Sequence, residues 1–135
     1  MNTERESSAT VRLERLKERI SPDFSGRQAA ADELLEDLSA ACRKAGFLAE
    51  WHAEQLTVLI PGAPRLWVHH SCAPLLGWHV TLENDRRHLV PPLDYDPRQG
   101  KWIASSARHG SALDALVFSL ETLVDAFWKD QGKRR

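Results

Sequence analysis

The run His69-His70-Ser71-Cys72, with His79 a short way downstream, is where this chain gathers the residue types most capable of chemistry. Imidazole and thiolate together suit zinc, which needs three or four ligands converging at about 2.0–2.3 Å. Adjacent residues of a strand point to opposite faces, so His69 and His70 do not converge on one ion if both lie in a strand. No CxxC, HExxH or similarly spaced pair supports them, although His52 and His88 add further imidazoles. The expectation is no metal and no cofactor.

Nucleophilic catalysis is the next possibility. Cys72 with a histidine, or Ser71, Ser105 or Ser106 with His109, supplies the residue types of a nucleophile and its base. Pairs of this kind arise by chance in any chain with six histidines. No G-x-S-x-G elbow and no Walker-type phosphate loop accompanies them. Asp94 and Asp96 flank Tyr95 and can share one strand face, but Asp96-Pro97 reads more simply as the opening of a turn. No residue is assigned a catalytic role, and the chain leans away from being an enzyme.

Composition narrows the class. The chain has 135 residues, 42% hydrophobic and 27% charged, with a net charge of −1, which suits one domain with one core. The near-zero charge makes nucleic acid an unlikely partner, because its binders carry a basic face. That reading would need Arg65, Arg86, Arg87, Arg98, Lys101 and Arg108 to gather on one side. Two cysteines are too few for a disulfide scaffold, and Cys42 falls at a core position of a helix, so a reduced, cytoplasmic protein is expected. No signal peptide and no membrane-spanning run is apparent.

The elements that must position these residues follow from periodicity. Residues 1–24 read as an N-terminal arm containing a short helix, with Leu13, Leu16 and Ile20 on one face. The arm is expected to end at Ser21-Pro22-Asp23-Phe24-Ser25-Gly26, since proline disfavours helix before it and glycine is a further break. So short a helix is marginal alone, and dimerisation through it is one way to stabilise it.

A helix over 28–45, capped by Ser25, carries Ala31, Leu34, Leu35, Leu38, Ala41, Cys42 and Ala45 as a stripe and stops at Gly46. A second over 111–128 starts with Ser111 and Asp114 and carries Leu113, Leu116, Val117, Leu120, Leu123, Val124 and Phe127. Residues 131–135 form a short basic tail closing a domain that spans 25–130.

Between the helices the period drops to two. Phe47–His52, Leu56–Ile60, Leu66–His70, Trp78–Glu83 and His88–Val90 read as strands, and Leu93–Tyr95 with Lys101–Ala104 as a closing hairpin. Short connections make neighbours antiparallel. The expected fold is α+β: a two-layer sandwich of an antiparallel sheet of about five strands with both long helices on one face.

Sorting the strands by face directs attention away from catalysis. Phe47, Ala49, Trp51, Leu56, Val58, Ile60, Leu66, Val68, Trp78, Val80 and Leu82 should meet the helices. The other face receives Leu48, Glu50, His52, Thr57, Leu59, Trp67, His69, His79, Thr81 and Glu83. A face built only for solubility would favour Lys, Glu and Thr. An exposed aromatic and aliphatic patch with a polar rim marks a partner surface. Leu59, Trp67, His69, His79 and Thr81 are therefore the expected partner-binding residues, in a non-catalytic interaction module. Buried there, His69 and His79 would make binding weaken on acidification. The alternative is a small-molecule sensor or minor enzyme, with a pocket between the sheet and loops 71–77 and 91–100 on which Trp67, His79 and Asp94 converge.

Overall fold

The computed structural model describes the chain over residues 2–52, 55–71 and 77–133, and its side chains over 8–16, 26–52, 55–70 and 77–132. Helix α1 (Asn2–Lys44) leads into strands β1 (Leu48–His52), β2 (Gln55–Leu59), β3 (Leu66–Ser71), β4 (Gly77–Leu82) and β5 (His88–Leu89). These pair antiparallel in chain order, β1-β2-β3-β4-β5. A separate antiparallel hairpin, β6 (Leu93–Asp96) and β7 (Lys101–Ala104), precedes helix α2 (Ala112–Lys133). The fold is α+β, with a five-stranded antiparallel sheet as expected and a second, two-stranded one beside it.

Apolar periodicity decides which faces meet. Ala31, Leu34, Leu35, Leu38 and Cys42 of α1 and Leu116, Leu120, Leu123 and Val124 of α2 bury against Ala49, Leu56, Val58, Leu66, Val68, Trp78, Val80 and Leu82 of the sheet. The α1 stop has the expected cause. Gly46 takes φ 88°, which lets its N–H donate to the Arg43 carbonyl and the Phe47 N–H to the Cys42 carbonyl. At the start of α2, the Asp114 N–H donates to Ser111 Oγ at 3.1 Å, the expected cap.

Two expectations fail. The N-terminal segment is helical, but no break separates it from the core helix: α1 runs unbroken through Pro22 and Gly26, so no helix starts after Ser25. The expected boundary between arm and domain therefore falls inside one helix. An interior proline costs about 3 kcal/mol relative to alanine, which disfavours a helix without forbidding it. Gly26 serves packing here: a Cβ at this position would sit 2.5 Å from the Tyr95 hydroxyl. The second failure is Trp51, expected in the core but 37% exposed. It lies on β1, an edge strand, where it lines an open cavity beside Glu36, Ser39, Ala40 and Arg43 of α1 and is only partly covered. Ala53 and Glu54 between the first two strands, Cys72 and the end of the basic tail lie outside the described residues.

Candidate functional site

The backbone register places the expected face residues together. One row crosses all five strands: Glu50 pairs with Thr57, Thr57 with Trp67, Trp67 with Thr81, and Thr81 with His88. Beside it His52 pairs with Gln55, Gln55 with His69, and His69 with His79. Directly opposed side chains of antiparallel strands have Cβ atoms about 4.5–5.5 Å apart, so each row is a continuous strip of contacts. The His79 and His88 rings lie 5.9 Å apart. Leu59 sits farther along, opposite Leu48, which is 66% exposed.

None of these side chains joins the core that the helices build. Leu59, Trp67, His69, His79 and Thr81 are half-buried, while Glu50, His52 and His88 at the margins are exposed. Thr57, between Glu50 and Trp67, is buried. His69 Nδ1 is buried without a hydrogen-bond partner among the described residues. The face thus has an aromatic and imidazole middle with a wetter margin.

The opposite side of the same strands holds a cluster whose members the alternation assigns to that face without showing what they meet. His70 pairs in register with Trp78, and their rings lie 5.0 Å apart. Trp102 of β7 packs on both, 5.3 Å from His70 and edge-on to Trp78 at 5.8 Å. Its indole N–H donates to the Arg27 carbonyl at 3.1 Å, and the Arg27 guanidinium lies 5.5 Å from the centre of the Tyr95 ring. Burial pushes the His70 imidazole down to about 4, with the neighbouring His69 the next contribution. His70 is therefore a neutral ring at neutral pH.

A cavity of about 410 Å³ opens beside this cluster, lined by Arg27, His70, Trp78, Asp94, Tyr95 and Trp102 among others. It falls where the alternative reading expects a pocket, beside residues 77 and 90–95. Its walls differ from that expectation: Asp94 lines it, but Trp67 and His79 do not. Strand alternation puts them on the other face of the sheet.

The remaining chemistry is sparse. Among the described residues, no three His, Cys, Asp or Glu side chains are grouped to hold a metal ion. Two of the cations that a nucleic-acid surface would need are engaged by carboxylates. Arg65 meets Glu83 at 3.2 Å, and Arg87 pairs with Asp85 and, at 2.9 Å, with Asp130. Those bonds to Arg87 hold the Asp85 carboxyl down to about 2. No helix among the described residues is long and apolar enough to cross a membrane. Compared with protein families, curated proteins and solved structures, the chain matches none of them, so its own geometry carries the functional argument.

Proposed function

We propose that this protein is a non-catalytic interaction module that binds another protein through the open face of its five-stranded sheet. One observation carries the reading: Trp67, in register with Thr57 and Thr81 and flanked by the His69–His79 pair, lies outside the core although both helices and the closing hairpin pack elsewhere. A sheet face that only needed solubility has no use for an indole and a pair of imidazoles at its middle. Tryptophan at the centre of a patch, with polar residues around it, is the composition that dominates binding energy in protein interfaces. Leu59 and Leu48 extend the apolar part toward the β1 edge. A reducing, cytoplasmic setting fits Cys42, a free thiol buried in the core whose pKa burial raises.

A photo-crosslinking residue installed at position 67, in the cells that make the protein, tests this. The expected outcome is one discrete protein adduct, lost on adding His69→Ala and absent when the probe sits at Arg98. Diffuse labelling equal at both positions would refute the reading.

A second reading is favoured by the cavity beside His70. Its aromatic walls and the Arg27 guanidinium suit a small planar ligand. Saturable quenching of tryptophan fluorescence by such a ligand, abolished by Trp102→Leu and unaffected by Trp67→Ala, would support it.

A further inference from the structure

The side chains of Ser8–Leu16 are all exposed. Nine helical residues make about two and a half turns, so no face of this stretch is packed against the domain. Leu13 is 66% exposed and Leu16 is 52% exposed. They stand three residues apart on one side of α1, with Arg12 beside Leu16 at the i, i+4 spacing and Glu14 farther round. Most helical stability in proteins comes from packing an apolar face, which this stretch of α1 does not find within its own chain.

A matching receptor lies at the other end of the molecule. Between the last turns of α1 and the middle of α2 is a cavity of about 310 Å³, its walls formed by Leu38, Phe47, Ile60, Val117 and Val124. Trp128 closes one side, held by its indole N–H donating to the Gly62 carbonyl at 3.0 Å. Among the described residues, the charged ones lining this cavity are Glu121 and Asp125, both exposed. A cavity of about 150 Å³ accommodates benzene, so this one has room for two branched aliphatic side chains. Apolar walls with an acidic margin complement an aliphatic pair with an arginine beside it.

A chain cannot make this contact with itself. Along unbroken α1, Leu13 and Leu38 are about 38 Å apart at 1.5 Å per residue. We propose that the N-terminal arm docks in the α1–α2 cavity of a second copy of the chain. Leu13 and Leu16 enter the cavity, and Arg12 meets Glu121 and Asp125. The exchange is reciprocal, so two identical contacts close a two-fold dimer with antiparallel α1 helices and leave no open end. The contact lies on the helix side and does not depend on the sheet-face reading.

Sedimentation velocity on the full chain at micromolar concentration, with two variants, tests this. Leu13→Glu/Leu16→Glu disables the arm, and Glu121→Arg/Asp125→Arg disables the cavity. The substituted residues are exposed, and far-ultraviolet circular dichroism verifies that both variants are folded. The unmodified chain is expected to be a dimer, and each variant alone a monomer, with dissociation constants raised at least ~100-fold. Mixing the two variants restores a 1:1 pair, because one chain still has its arm and the other its cavity. A monomeric unmodified chain, a dimer insensitive to both variants, or a mixture that stays monomeric would each overturn the proposal.

Discussion

The two faces of the five-stranded sheet use the same strands for different ends. On the covered face, Leu56, Val58, Leu66, Val68 and Val80 are wholly buried beneath α1 and α2. On the other, Thr57 is buried and Trp67, His69, His79 and Thr81 are half-buried, alternating with them and outside the core that the helices build. A strand's period of two makes both possible within six residues. Burial alone therefore does not separate the core from the candidate face. What separates them is the helices: α1 and α2 cover one side, and the named residues of the other do not join the core those helices build.

The largest expected effect comes from breaking the covered face. Trp78→Ala removes an indole that is 2% exposed and leaves a hole beside His70 and Trp102. It should cost about 3–5 kcal/mol in urea unfolding. A loss below about 1 kcal/mol would mean that the aromatic cluster is not part of the core.

Next is acidity, which should act on the covered face through His70. Its folded value near 4 lies below its ordinary 6.5, so between those values the unfolded chain takes the proton and the folded chain does not. Stability from this group is therefore fully present above pH 6.5 and falls as the pH drops toward 4, by about 3 kcal/mol. His70→Phe should flatten that part of the stability curve. An unchanged slope would remove His70 from the account.

A smaller effect sharpens the role of Gly26. Alanine is intrinsically about 1 kcal/mol better than glycine inside a helix, but here its Cβ meets the Tyr95 hydroxyl. Gly26→Ala should thus be neutral or destabilising in the native chain and stabilising by up to ~1 kcal/mol in a Tyr95→Phe background. Equal effects in both backgrounds would show that the hydroxyl does not govern this position. The smallest change belongs to the exposed Arg65–Glu83 pair. Breaking it with Arg65→Ala should cost no more than about 0.5 kcal/mol, and less in high salt.

Much of this architecture was legible in residue order. Alternation placed Trp67 and His69 across from Thr81 and His79, and the three- and four-residue spacing of leucines marked the stripes of α1 and α2. The rest depended on contacts distant in sequence. Pro22 and Gly26 are local breakers, and nothing nearby tells that Tyr95 needs the space at Gly26. Trp102 reads as one residue of a short hairpin, whereas its indole is fixed by the carbonyl of Arg27, 75 residues earlier. Alternation assigned Trp51 to the covered face correctly as to period, but could not show that β1 is the edge strand. The candidate face was legible because it is built from local pairing. The aromatic lining of the pocket was not, because five separate elements assemble that pocket.

The central claim, that Trp67 belongs to a binding face and not to the core, is tested most directly by Trp67→Ala read two ways. Urea unfolding measures its part in the fold, and crosslinking from a probe at position 79 measures its part in binding. The account predicts a stability loss of about 1 kcal/mol or less together with disappearance of the protein adduct. A loss of 3 kcal/mol or more, approaching that expected for Trp78→Ala, with the adduct retained in the folded fraction, would contradict it.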